Sequence, residues 1–76
     1  MVSCMKLFNR LRDIRTQKAL TQEALAQAIG VTRQTIIAIE KEKYVPSVKL
    51  ALELALALNT PIDRVFWLEP GQGGKA

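Results

Sequence analysis

Residues 21–40, TQEALAQAIGVTRQTIIAIE, contain the clearest helix signals in the sequence. Thr21 stands where a helix N-cap is expected, and Gly30 stands where a helix is expected to end in a left-handed conformation. Thr32 then takes the N-cap position of a second helix. Apolar residues recur at helical spacing on both sides of the turn, at Leu25, Ala26, Ile29, Val31, Ile36 and Ile39. The pattern predicts two short helices that cross closely and share one apolar core.

Three further helices are predicted around this pair. They cover residues 5–18, about 48–58 and about 61–67. In the first, Leu7, Leu11 and Ile14 form an apolar stripe at helical period. Ser47 is placed as the N-cap of the next, and Pro61 is typical of a first helical position. No stretch of useful length alternates as a β-strand does, so we expect an all-α fold of five compact helices.

The length of the chain allows one domain. We expect this domain to cover residues 6–68, with a flexible leader at 1–5 and a flexible tail at 69–76. Glycine is frequent in the tail, at Gly71, Gly73 and Gly74, and chain ends of this composition are usually loose.

Composition excludes most catalytic and metal chemistry. The 76 residues contain no histidine and a single cysteine, Cys4, so His-dependent nucleophiles, the usual zinc sites and an internal disulfide cannot form. No Walker or Gly-x-Gly-x-x-Gly motif is present. We therefore expect neither an enzyme nor a cofactor. No apolar run of 18 residues and no secretion signal is found, which predicts a cytoplasmic protein without a membrane partner.

The positive charge is concentrated near the start of the chain. The net charge is +4. Residues 6–18 carry all of this charge, because they include five basic residues and one acidic residue, Asp13. The segments 19–45 and 46–76 are each neutral. The basic residues are Lys6, Arg10, Arg12, Arg15 and Lys18. Such a segment is either a solvated helix face or a surface that attracts nucleic acid.

Several short motifs resemble the helix-turn-helix of the XRE family, the phage repressor and Cro type. They are LTQE at 20–23, LA at 25–26, GVTRQTI at 30–36, IE at 39–40 and PS at 46–47. The resemblance covers about residues 6–67. It implies a lambda-repressor-like fold of five helices, in which helices 2 and 3 bind double-stranded DNA.

The resemblance implies that the N-terminal part of helix 3 reads bases in the major groove. The residues concerned are Thr32, Arg33, Gln34 and Thr35. Arg33 suits guanine O6 and N7, and Gln34 suits adenine N6 and N7. Ile37 falls on the outer face of the same helix, where it either touches a thymine methyl or is an exposed apolar residue without a role.

The resemblance also implies contacts with the DNA backbone and one buried ion pair. Gln22 would bind a phosphate at the N-terminus of helix 2, and Lys41 and Lys43 would lie near phosphates in the loop after helix 3. The alternatives are an ordinary first-turn glutamine and a solvated loop. Arg15 and Glu40 match a pair that joins helices 1 and 3 in this family.

Two of the departures from the family pattern lie in the turns that follow helices 1 and 3. Relatives often have glycine after helix 1, where this chain has Ala19, so either the alanine adopts a left-handed backbone or the helix ends differently. Glu42 stands in the loop after helix 3, and its charge would repel phosphates.

Apolar residues outside the expected core suggest a partner. Leu56, Phe66, Trp67 and Leu68 are too many for so small a domain to bury. Either Phe66, with or without Leu68, closes the core, or these residues form a two-fold dimer contact, which is the arrangement we expect. The first functional hypothesis is a transcriptional regulator, in the simplest case a repressor, that binds a palindromic operator as a homodimer. The alternative is a protein-interaction module, for example an antitoxin, that uses Leu56, Trp67 and Leu68. No small-molecule site is evident.

Overall fold

The computed structural model describes residues 5–70, which form five helices and two strands. In chain order they are β1 (Met5–Asn9), α1 (Leu11–Gln17), α2 (Gln22–Ile29), α3 (Arg33–Glu40), α4 (Val48–Ala57), α5 (Ile62–Val65) and β2 (Phe66–Pro70). The helix-turn-helix lies at α2 and α3, as predicted. The parts of the expected leader and tail at 1–4 and 71–76 lie outside the described residues.

The all-α prediction is wrong at both ends of the domain. The segment 5–9, which was expected to begin helix 1, is a strand, and it pairs antiparallel with β2 in the register Met5↔Pro70 to Asn9↔Phe66. Helix 5 ends at Val65 rather than near Trp67, because the backbone becomes extended at Phe66 (φ −129°, ψ 143°). We call this pair of strands the terminal ribbon.

Polar residues start the three longest helices where the sequence predicts caps. Thr21 Oγ1 accepts a hydrogen bond from the Ala24 N–H, and Thr32 Oγ1 accepts one from the Thr35 N–H. Ser47 does the same for Leu50 at the start of α4. Each side chain satisfies one of the N–H groups that a helix N-terminus leaves without a partner.

Helices α1 to α4 all end in the same left-handed turn. The residue with positive φ is Ala19 (58°), Gly30 (77°), Glu42 (61°) and Asn59 (51°), respectively. In each turn the next N–H bonds back to a carbonyl five residues earlier, as Leu20 does to Arg15. This is the Schellman arrangement, in which glycine is the usual residue. The departure at Ala19 is therefore accommodated by a left-handed alanine.

The helices enclose one apolar core, to which the terminal ribbon is attached. The fully buried side chains are Leu11, Leu25, Ile36, Ile39, Leu54, Leu58 and Val65. Phe66 joins them from β2, and Leu7 packs against them from β1. Asn9 ties the ribbon to two helices, because its Nδ2 donates to the Ile39 carbonyl and its Oδ1 accepts from the Leu11 N–H. Within residues 5–70, no helix is both long and apolar enough to cross a membrane.

Candidate nucleic-acid interface

A polar groove runs between α1, the start of α2 and the length of α3. Arg12 and Arg15 line it from α1, Gln22 lines it from α2, and Arg33 and Lys41 line it from α3 and the residue after it. The lining includes four cations, three of them on exposed residues, and two carboxylates, Glu23 and Glu40, so the groove carries a net positive charge. A surface of this charge beside the N-termini of two helices attracts a polyanion.

A buried ion pair forms the floor of the groove. Arg15 Nε donates to Glu40 Oε2 at 2.7 Å, and its Nη2 donates to Oε1 at 3.4 Å. The side chains are only 9% and 5% exposed. Arg15 Nη1 also donates to the Leu20 carbonyl at 2.7 Å. The pair therefore joins α1, the turn before α2 and the end of α3.

Gln22 connects this pair to the residue expected to read guanine. Its Nε2 donates to Glu40 Oε1 at 3.1 Å, and its Oε1 accepts from Arg33 Nε at 3.3 Å. The sequence could not indicate this contact, because Gln22 and Arg33 lie eleven positions apart on two helices. Gln22, which was expected to bind a phosphate, thus hydrogen-bonds protein groups through both the nitrogen and the oxygen of its amide.

The residues expected to read bases differ in their exposure and in their hydrogen-bond partners. Arg33 and Gln34 are exposed, as is Thr32. The hydroxyls of Thr32 and Thr35 lie 3.1 Å apart and hydrogen-bond each other, so each has a partner within its own helix start. Ile37 is half-buried and lines the groove.

The loop after α3 places its two lysines in solvent. Lys41 and Lys43 are both exposed. Glu42 lies between them in the chain and forms an ion pair with Lys6 of β1, with Nζ and Oε1 3.3 Å apart. The carboxylate that was expected to repel phosphates is therefore balanced by a cation from the terminal ribbon.

Arg12 belongs to the basic segment 6–18, but the sequence assigned it no DNA contact of its own. It is exposed, and it shares the groove with Arg15 because residues three apart on a helix face the same side. That spacing was visible in the sequence. The missing information was which side of α1 faces α3.

The four residues expected at a dimer contact are separated by the fold. Phe66 is buried in the core, whereas Leu56 is 80% exposed on α4 and Leu68 is 54% exposed on β2. Trp67 stacks on Phe8 inside the ribbon. Leu56 instead shares an apolar groove with two other exposed side chains, Leu52 and Ile62.

The helix-turn-helix family model matches residues 11–65, from the first residue of α1 to the last residue of α5. The chain belongs to the XRE-type helix-turn-helix family. This is a family of DNA-binding transcription regulators and not of enzymes. The match stops short of both strands, so the terminal ribbon lies outside the part of the fold that the family model describes.

Similar helix-turn-helix proteins occur in bacteria and archaea. The chain is 46% identical over 61 residues to the HTH-type transcriptional regulator YgzD of Bacillus subtilis, covering 80% of this chain and 92% of that protein. It is 51% identical over 61 residues to the HTH-type regulator MJ0272 of Methanocaldococcus jannaschii, with the same coverage.

A solved structure shows the same arrangement of helices. The restriction-modification controller protein C.AhdI from Aeromonas hydrophila superposes with a TM-score of 0.69 at 36% sequence identity. The superposition covers 72% of this chain and 83% of that protein.

Proposed function

We propose that this helix-turn-helix protein is a sequence-specific transcriptional regulator that inserts the N-terminal end of α3 into the major groove of duplex DNA. The observation that carries the proposal is the placement of exposed Arg33 and Gln34 at that helix end, beside a groove that also presents Arg12 and Lys41. Polar side chains at the start of a recognition helix reach base edges, while flanking cations contact the backbone.

The residues divide into two roles. Arg33 and Gln34 are the base readers, each worth about 1–3 kcal/mol of discrimination when it binds a base through two hydrogen bonds. Arg12, Lys41 and Lys43 contact phosphates and set the affinity without reading sequence. The N-terminus of α2 offers backbone N–H groups to another phosphate.

The protein binds a palindromic operator as a two-fold homodimer. The apolar surface that supports this proposal is formed by Leu52, Leu56 and Ile62, which line one groove on α4 and α5. Leu56 is 80% exposed, so covering it with a partner would remove a large apolar area from water. A symmetric contact there would present two α3 helices to half-sites about 34 Å apart on the DNA.

Repression is the simplest action of such a dimer. A protein bound across a promoter blocks access to it by occupancy alone. The relatives that carry a regulatory name, including the restriction-modification controller protein, support a role in transcription control.

Selection of binding sites from a random duplex library at about 150 mM salt tests the proposal, because nonspecific phosphate attraction is weakened there. We expect a two-fold symmetric site to be enriched. Arg33→Ala and Gln34→Ala should each lose preference at one base of the half-site. Lys49→Ala, on the exposed side of α4, serves as the control. Binding that follows only the salt concentration, without an enriched site, would overturn the proposal.

A protein-interaction module is the second candidate. Exposed Leu56 and Leu68 favour it, because both could be covered by another protein. Measuring the regulatory activity of variants in a reporter strain distinguishes the two candidate functions. Loss of function in Arg33→Ala indicates DNA readout, whereas loss only in Leu56→Lys or Leu68→Lys indicates a protein partner.

A further inference from the structure

We infer that Lys6 of the terminal ribbon is a positioning residue for DNA binding: it holds the Glu42 carboxylate away from the two lysines on either side of it in the chain. Those lysines, Lys41 and Lys43, thereby stay available for phosphates. The inference rests on the proposed function and deepens it, because it adds the ribbon to the parts of the protein that set DNA affinity. The juxtaposition that carries it is the ion pair between β1 and the turn after α3, with Lys6 Nζ and Glu42 Oε1 3.3 Å apart.

Glu42 is a carboxylate in the middle of a turn that is proposed to contact the DNA backbone. It lies between Lys41 and Lys43, so it can form an ion pair with either of them. A lysine held in this way is lost to phosphate. Within residues 5–70, however, neither lysine forms an ion pair, and the carboxylate is paired with the ribbon instead.

The turn that carries Glu42 is held in a fixed position against β1. The backbone of Glu42 is left-handed, with φ of 61°, and its N–H donates to the Ile39 carbonyl at 2.9 Å. The same carbonyl accepts from Asn9 Nδ2 at 3.0 Å, so both of its lone pairs are used. Asn9 thus fixes β1 beside the turn, and Lys6 of the same strand lies within reach of the carboxylate.

The side chain of Lys6 is itself held in place. Its Nζ lies over the ring of Phe8, 5.3 Å from the centroid, and Phe8 stacks on Trp67 across the ribbon. A cation over an aromatic face is attracted by it, so Lys6 is held by the ring as well as by Glu42. The two side chains of the ion pair are 53% and 29% exposed, and exposed pairs contribute little to stability. The effect of the pair is therefore on where the carboxylate lies.

A direct phosphate contact by Lys6 is the alternative role, and it predicts a different dependence on Glu42. A direct contact contributes the same affinity whether or not residue 42 is acidic. A positioning role ends once the carboxylate is removed, because no negative charge then has to be held away from the neighbouring lysines. The coupling between the two residues, measured by a double-mutant cycle, distinguishes the roles.

The experiment measures Kd for duplex DNA with the unmodified protein, Lys6→Met, Glu42→Gln and the double variant. Two duplexes are used, the operator that the unmodified protein selects and an unrelated sequence, at about 150 mM salt and at several other salt concentrations. Lys18→Met is the matched control, because it removes the same charge from an exposed position that lines a different groove. Lys6→Arg, which keeps the ion pair, tests for rescue.

We expect Lys6→Met to weaken binding about three- to fivefold, the size of one exposed charge interaction, and by the same factor on both duplexes. The slope of log K against log salt should fall in magnitude by up to about 0.9, because one lysine is withdrawn from phosphate. The double variant should bind as tightly as Glu42→Gln alone, and Lys6→Arg should bind as the unmodified protein does. Lys18→Met should change Kd by less than about twofold.

Thermal unfolding of each variant separates a loss of fold from a loss of contact. Lys6→Thr, which suits a strand, replaces Lys6→Met if that variant does not fold. A merely structural role of Lys6 would lower the Tm, and Glu42→Gln would not restore DNA binding.

Three results overturn the inference. They are an unchanged Kd in Lys6→Met, an equal loss of affinity when Lys6→Met is made in the Glu42→Gln background, and an equal loss in Lys18→Met. Failure of the proposed function is seen earlier and separately, because the unmodified protein would then enrich no site.

Discussion

At the scale of single residues, the left-handed helix ends carry residues that are poorly suited to a positive φ. Gly30 occupies one of them, but Ala19, Glu42 and Asn59 occupy others with φ of 58°, 61° and 51°. A left-handed backbone costs an L-residue other than glycine about 1–2 kcal/mol, and asparagine tolerates it best. Ala19 has no polar side chain to offset this cost.

Ala19→Gly should therefore stabilise the protein. The expected gain in the free energy of unfolding is about 0.5–1 kcal/mol, after allowing for the greater freedom of glycine in the unfolded chain. For a domain of this size that raises the Tm by about 4–8 °C per kcal/mol. Differential scanning calorimetry measures the shift.

Ala28→Gly provides the matched control. Ala28 is exposed within α2, so glycine there should destabilise by about 1 kcal/mol. Equal shifts of the Tm in the two variants would contradict the assignment of strain to residue 19.

The buried ion pair leads to a second prediction at this scale. Arg15→Met leaves the Glu40 carboxylate, only 5% exposed, without its main partner, and should lower the free energy of unfolding by about 3–5 kcal/mol. Arg15→Met combined with Glu40→Met should recover most of the loss, since no charge then stays buried. Urea unfolding followed by far-UV circular dichroism, which reports the helices, gives both values. A double variant as unstable as the single one would refute this account.

Residue-scale features were predictable where they are local. The caps Thr21, Thr32 and Ser47 bond to N–H groups three residues away, so their spacing alone indicates them. The bond between Gln22 and Arg33 depends on how two helices cross and left no signal in the sequence.

At the scale of secondary-structure elements, the terminal ribbon is what the sequence failed to indicate. Leu7, Leu11 and Ile14 match a helical stripe, but Leu7 lies on a strand and meets the same core from another direction. A strand of five residues pairs with one near the other end of the chain, so its partner is not visible in any local window. The helices of the helix-turn-helix were predictable because their caps, turn and apolar spacing agree.

Asn9 joins the ribbon to the helices and should matter more than an exposed polar residue. Asn9→Ala removes the hydrogen bonds to the Ile39 carbonyl and the Leu11 N–H, and should destabilise by about 1–3 kcal/mol. Urea denaturation measures it. Gln17→Ala, on the exposed part of α1, should change stability by less than about 0.5 kcal/mol. If Asn9→Ala changes the free energy of unfolding as little as Gln17→Ala does, Asn9 does not hold the ribbon.

At the scale of the whole molecule, charge is distributed over distinct surfaces. Arg12 lines the groove beside α3, whereas Lys18 lines another groove with Arg10 and Arg64. Arg12→Gln should reduce the slope of log K against log salt by about 0.9 in magnitude, the effect of one lost phosphate contact. Lys18→Gln removes the same charge and should leave the slope unchanged. Titrations of operator DNA at several salt concentrations compare them, and equal slopes for both variants would exclude a contact by Arg12.

The dimer surface also belongs to this scale. Leu56→Lys places a charge on an 80% exposed position and should abolish dimers while leaving the monomer folded. Val45→Lys, at a 70% exposed position in the loop before α4, is the control and should leave the dimer intact. Sedimentation velocity distinguishes the two states. If the Leu56→Lys protein remains dimeric, the interface lies elsewhere, for instance at the exposed Leu68.

The terminal ribbon also has a consequence for the order of folding. It pairs residues from opposite ends of the described chain, whereas the contacts between α2 and α3 join neighbours along the chain. Closing so long a loop is entropically costly until the helices between the strands have packed, so we expect the ribbon to form last and to open first. Its amide protons should exchange with solvent ahead of those in α2 and α4, and each opening would briefly release two strand edges able to pair with a second molecule.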